Sequence, residues 1–166
     1  IIRADRGWKT ISNTVCWPTI WGARLMRFKR RFKSPKSPLE VLRLIADFRY
    51  LKSWDDSVES VVAIEEVFGQ GAQYKVRVRF GGKVIDMIYT VTSYEPGARA
   101  LLTGIASNAT AIDIIEVRDD SNGTQVDYTA KIQLAFPYNL LDPILALGFR
   151  KTVDRAVAGL TRFLST

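Results

Sequence analysis

Residues 142–166 read DPILALGFRKTVDRAVAGLTRFLST, and the fold turns on this stretch. Asp142 before Pro143 is a helix opening: the carboxylate can cap free N–H groups, and proline fits the first helical position, where its missing N–H is no loss. Leu145, Phe149, Val153, Ala156, Val157, Leu160 and Leu164 recur at helical spacing. Arg150, Lys151, Asp154, Arg155 and Arg162 fill the other side. This predicts one amphipathic helix from about Asp142 to Leu164. Nearly everything between Ser60 and Pro137 reads as strands, so the helix is expected to lie across a sheet. Whether the space beneath it is filled or hollow is the functional question.

The strands announce themselves by alternation. Tyr74, Val76, Val78 and Phe80 alternate with Lys75, Arg77 and Arg79, and Gly81-Gly82 turns the chain. Val84 to Tyr94 returns, Glu95-Pro96-Gly97 turns again, and Ala100 to Thr103 follows. Ala109 to Val117 is a strand, Asp119 to Gly123 a turn, and Thr124 to Phe136 the last strand. Ahead of these, Glu59 to Val67 is a strand ended by Gly69-Gln70-Gly71. That GxG lacks the following helix a phosphate cradle needs, so it reads as a hairpin turn. Earlier still, Arg24 to Lys33 alternates, with Met26, Phe28 and Phe32 on one face and Arg27, Lys29, Arg31 and Lys33 on the other. Arg30 falls on the apolar side, either as an end effect or as a polar group aimed inward. Ser37-Pro38-Leu39-Glu40 is a capping box opening a helix through Phe48, and a short helical piece covers Tyr50 to Asp56, with Trp54 as its apolar anchor. Residues 1–22 carry three of the four tryptophans and read as an N-terminal extension, docked or interfacial; residues 23–166 form the domain.

Composition narrows the chemistry. Apolar residues make up 47% and charged residues 25%, enough for a packed core and unlike a disordered chain. No apolar run approaches a membrane span. The chain opens at Ile1 rather than Met, so an upstream segment is allowed for. A single cysteine, Cys16, excludes an internal disulfide. With no histidine either, thiolate and imidazole zinc sites, Ser-His-Asp and Cys-His catalysis and histidine acid–base work all fall away. No cofactor or metal is expected. Net charge is +7, and the basic residues crowd between Arg24 and Lys36. That run is either a solvated strand face or a patch for anionic lipid or nucleic acid. Nucleic acid is disfavoured, because Phe28 and Phe32 alternate away from the basic face and leave no exposed aromatic for stacking.

The order strand, two helices, about six antiparallel strands and a long helix resembles the helix-grip fold. That is the fold of the START-related, birch-pollen-allergen and polyketide-cyclase (SRPBCC) superfamily. The resemblance runs from about Arg24 to Leu164. It is carried by Ser37-Pro38 with Ala46-Asp47-Phe48 and Trp54, by Val91-Thr92-Ser93-Tyr94-Glu95-Pro96-Gly97, by Gly123-Thr124-Gln125-Val126, and by Leu141-Asp142-Pro143. It implies an α+β fold: a curved antiparallel sheet of about seven strands wrapped around the last helix, with a hydrophobic cavity between them. The implied ligand-binding positions are Trp54, Tyr74, Val76, Val78, Phe80, Met87, Tyr89, Leu101, Ile112, Ile114, Val126, Tyr128 and Ala130, with Leu145, Phe149 and Val153 from the helix. Val91 shares their phase. Hydroxyls of Tyr74, Tyr89 or Tyr128 would orient a ligand's polar group while apolar walls hold its body. Two acids interrupt apolar strands, Asp86 and Asp113; with Met87 and Ile112 inward, alternation sends both to solvent. Glu116 then has the inward phase, near a strand end.

Three functions remain open from the sequence. The first is a carrier of an apolar small molecule such as a lipid, isoprenoid or polyketide. The second is a cyclase or aromatase acting in the same cavity, with no catalytic residue assigned. The third is attachment to an anionic membrane surface through Arg27, Lys29, Arg31 and Lys33. The expected location is cytoplasmic, with peripheral membrane contact under the third reading.

Overall fold

The computed structural model describes residues 25–80, 82–135 and 142–166, with side chains of the last helix described from Leu145. The expected extension over residues 1–22, the Phe136 strand end and the capping by Asp142 lie outside the described residues. The elements run β1 Leu25–Ser34, α1 Pro38–Ala46, a 3₁₀ turn Phe48–Tyr50, α2 Leu51–Trp54, β2 Val58–Ala63, β3 Gln73–Phe80, β4 Lys83–Glu95, β5 Arg99–Ile105, β6 Ala109–Asp120, β7 Gly123–Leu134 and α3 Asp142–Ser165. The seven strands form one antiparallel sheet in the order β1-β7-β6-β5-β4-β3-β2. β2 to β7 follow one another as a meander, and β1 closes against β7. α1 and α2 carry the chain from one sheet edge to the other. This is the expected helix-grip architecture.

Local chemistry sets the boundaries. Ser37 caps α1 by accepting from the Glu40 N–H at 3.4 Å, and Pro38 takes the first helical position. Asp47 ends that helix and accepts from the Arg49 N–H at 3.2 Å, which starts the 3₁₀ turn. The β6–β7 connection is tighter than the sequence suggests. β6 runs on to Asp120 and only Ser121-Asn122 turn, because Gly123 holds a positive φ of 127° and packs against the Ser34 carbonyl of β1. Register breaks between Val58 and Ser60 in β2, and between Val91 and Ser93 in β4, bend the sheet.

The filled core lies at one end of the molecule. Val41, Leu42 and Ile45 of α1 meet Val91, Leu102, Ile115 and Val126 of the sheet and Leu160 and Leu164 of α3, all fully buried. α3 is tied down twice more, at its C-terminal end and at its middle. Ser34 Oγ donates to the Leu164 carbonyl at 3.3 Å, and Arg30 Nε donates to Asp154 Oδ1 at 2.7 Å. Arg30 therefore is a polar group aimed inward, satisfied by an acid on the helix that covers it. Toward its N-terminal end α3 rests on no comparable layer among the described residues: Leu145, Phe149, Thr152 and Val153 are only half-buried.

Candidate functional site

A cavity of about 610 Å³ opens beneath that end of α3. Its walls are Val76, Val78 and Phe80 of β3, Ile85, Met87 and Tyr89 of β4, Ala111 and Asp113 of β6, and Tyr128, Ala130, Ile132 and Leu134 of β7. α3 roofs it with Leu145, Phe149, Thr152, Val153, Ala156, Val157 and Leu160, and Phe48, Leu51 and Trp54 form the floor. The volume exists because facing positions are small. Ala111, Ala130 and Ala156 sit where larger side chains would meet at crystal-like density. The mouth is ringed by Lys83 and Val84 after the β3–β4 turn and by Ser107 and Asn108 after β5. There the rings of Phe80 and Phe149 stack at 3.9 Å and 8°.

Of the positions expected from sequence, Trp54, Val76, Val78, Phe80, Met87, Tyr89, Tyr128, Ala130, Leu145, Phe149 and Val153 line this cavity. Tyr74, Leu101, Ile112, Ile114 and Val126 do not. Tyr74 points inward but toward the 3₁₀ turn, where its hydroxyl donates to Asp47 Oδ1 at 3.1 Å and its ring meets Phe48. Val126 is fully buried in the filled core instead. Leu101, Ile112 and Ile114 lie on the other face of the sheet, and Glu116 shares their phase. The reason is register: Leu102, Asp113 and Ala130 stand opposite one another across β5, β6 and β7, and all three are buried. The residues Ala-Ile-Asp-Ile-Ile alternate too weakly to fix their own phase, and the neighbouring strands fix it.

Asp113 is thus the largest correction. It faces the cavity, only 7% exposed, and not solvent. Asp86 does turn outward to the rim, paired with Arg77 at 3.1 Å. Tyr128 Oη donates to Asp113 Oδ1 at 2.8 Å. Tyr89 reaches the same carboxyl from β4 by a packing accident of sequence. Opposite it stands Gly104, where a Cβ would fall 2.5 Å from the ring, so the phenol lies flat across β5. Burial raises the Asp113 carboxyl to about 6; the nearby Asp55 adds to the rise, and the hydroxyls of Tyr128 and Tyr89 oppose it. Burial likewise pushes both phenols well above their ordinary range, and the carboxylate adds to it. Asp55 is raised by burial too, partly offset by Ser57, whose Oγ and N–H donate to it at 2.6 and 2.9 Å. Among the described residues, neither Asp113 nor Asp55 forms an ion pair. The Trp54 indole N–H is buried at the floor without an acceptor. The signal for Asp113 was present in the sequence: an acid set inside an apolar run.

The basic face of β1 is exposed as expected, but part of its charge is spent. Arg31 donates to both Asp127 oxygens, at 2.7 and 3.0 Å, and Lys33 pairs with Asp120 at 2.5 Å.

Solved structures share this architecture at low identity. A protein of Thermus thermophilus (TTHA0849) superposes with a TM-score of 0.70 at 19% identity, over 85% of this chain and 97% of its own. CV1439 of Chromobacterium violaceum gives 0.66 at 15%, over 85% and 98%. Ara h 8.0201 gives 0.63 at 10%, over 85% and 98%. No curated protein matches the chain in sequence. The family model described as polyketide cyclase / dehydrase and lipid transport matches residues 26–164. With that match spanning the strands, the cavity and α3, the chain belongs to this family, within the SRPBCC/START-like superfamily.

Proposed function

We propose that this protein carries an apolar small molecule, of lipid, isoprenoid or polyketide type, inside the cavity under α3. The observation that supports it is the cavity itself: about 610 Å³, walled chiefly by Val, Ile, Leu, Met and aromatic side chains. That lies within the ~300–1,000 Å³ usual for small-molecule sites. Burial of apolar ligand surface supplies the affinity, about 25 cal/mol per Å² before the costs of ordering. Titration with Nile red, a neutral fluorescent apolar probe, tests the reading directly. Ala130→Trp places a ring in the hollow; the variant is expected to stay folded and to weaken probe binding about tenfold. A filled core would instead lose ~1–3 kcal/mol by overpacking, with no probe binding to weaken. Native mass spectrometry of the purified protein would name what it holds.

A second reading, a cyclase or dehydratase in the same cavity, is favoured by Asp113. A carboxyl that burial raises to about 6, beside two phenols, is suited to move a proton to or from a bound carbonyl compound. Turnover lost in Asp113→Asn with probe binding intact would support it.

Attachment to an anionic membrane surface through Arg27, Lys29, Arg31 and Lys33 is a third proposal, narrowed by the Asp127 and Asp120 pairs. Among the described residues no helix is long and apolar enough to cross a membrane. Vesicles containing phosphatidylserine should bind the protein at ~0.01 M salt and release it at ~0.5 M, where charges screen within a few Å. Absence of binding at low salt leaves the face merely solvated.

A further inference from the structure

We propose that the molecule held in this cavity carries a protonated amine, seated with its nitrogen on the Asp113 carboxylate. This rests on the carrier reading above and names the chemistry of its ligand. The cavity wall is largely apolar; besides Asp113, Asp55 and the two phenols it carries Ser57 and Thr152, with Lys83, Asp86, Ser107 and Asn108 at the mouth. Asp113 stands in the middle of the concave face of the sheet, with Asp55 near enough to repel it. The groups facing Asp113 are Tyr89 from β4, Tyr128 from β7 and Asp55 after α2. β5 brings Gly104 and Leu102, and the described side chains of α3 that line the cavity are uncharged. Arg155, exposed on α3, acts on Asp55 and is not a neighbour of Asp113. The two phenols occupy part of a carboxylate's roughly four acceptor positions and leave room for another donor.

An isolated ionised carboxylate inside an apolar wall is costly unless paired. Among the described residues no cation pairs it, and a bound cation is a group that would. An ammonium donates a charge-assisted hydrogen bond to Asp113. A carboxylate or phosphate head would face two acids and is rejected. The chain as a whole carries a net charge of +7, which disfavours cations in general. A preference for one therefore reports the interior.

The test is displacement of Nile red from the full chain by decylamine, decanol and decanoate. At pH 7.5 the amine should bind at least about tenfold more tightly than the alcohol, roughly one charge-assisted hydrogen bond's worth, with decanoate weakest. Asp113→Asn should bring amine and alcohol together, each affinity being referred to the variant's own affinity for Nile red. The wild-type protein supplies an independent arm should that variant fail to fold. The amine stays protonated from pH 7.5 to 5, so its advantage should fade as Asp113 takes up a proton. Equal binding of amine and alcohol at pH 7.5, tighter decanoate, or an advantage indifferent to both pH and Asp113→Asn overturns the amine proposal alone. Failure of Nile red to bind at all overturns the carrier reading, and this proposal with it.

Discussion

Gly159→Ala should cost about 3 kcal/mol or more of stability, although alanine is the better helix former. On a free helix the same change would gain roughly 1 kcal/mol. Here a Cβ at position 159 would fall 2.0 Å from the Trp54 carbonyl oxygen and 3.1 Å from its carbon. Both are backbone atoms at the end of α2, so no side chain can rotate away. α3 must lift, and Leu160 and Leu164, both fully buried, lift with it. Overpacking of this kind costs ~1–3 kcal/mol where neighbours relax, and more where they cannot. Urea unfolding of the variant is the measurement, with Gly148→Ala as the control. The nearest atom there is a Phe80 ring carbon at 3.3 Å, and a ring at the cavity mouth can shift. Equal stability of the two variants would mean that α3 is not seated on α2 as described.

The second large effect has the opposite sign. Asp113 is protonated more readily in the folded chain, about 6, than at its ordinary value of 3.8. A raised carboxyl favours the folded state below its unfolded value. That advantage is lost as pH rises toward 6, to a penalty on the order of 3 kcal/mol at pH 7. Asp47 and Asp127 work the other way. Burial opposes their charge, but Arg49 and Arg31 hold both below the ordinary carboxylate range, so they lose stability only in more acid solution. The wild-type protein should therefore become more stable from pH 7 to pH 5. Asp113→Asn should flatten most of that slope, leaving the part due to Asp55, and should be the more stable protein at pH 7 by about 1–2 kcal/mol after losing one acceptor. Urea midpoints of both proteins at pH 5 and 7 decide it. A variant less stable at pH 7, with the slope unchanged, would show Asp113 acting as an ordinary hydrogen-bonded core residue. Retaining a carboxylate that weakens the fold fits a group kept for what it binds or does.

The long helix, the meander and the capping box were legible because each is written in local periodicity. Asp142-Pro143, the alternation from Tyr74 to Phe80 and Ser37-Pro38-Leu39-Glu40 need no distant partner to be read. The cavity walls on β3, β4 and α3 followed from the same periods. β6 did not, because isoleucines occur in both phases of Ala-Ile-Asp-Ile-Ile, and only pairing with Leu102 and Ala130 decides which face Asp113 takes. Tyr89 was placed on the right face, yet its reach to Asp113 depends on Gly104, fifteen residues on, leaving the space its ring crosses. Tyr74 had the inward phase but a different neighbour, Asp47, which no spacing rule connects to it.

The two ends of α3 differ in a way that bears on time rather than affinity. Its C-terminal end is fixed by Leu160, Leu164 and Gly159, with the Arg30–Asp154 pair holding the middle. Toward the mouth, a stack of two rings, Phe80 on Phe149, is the conspicuous hold. Parting one aromatic pair costs about 0.5–1.5 kcal/mol beyond the area it exposes, far less than unseating the anchored end. Among the described residues the helix is thus held as a cantilever, fixed at one end and latched at the other. Under the carrier reading, a molecule in the cavity would exchange by parting that stack without the sheet opening, and its residence time would follow the strength of the latch. Changing Phe149 should alter how fast a ligand comes and goes more than how stably the protein folds.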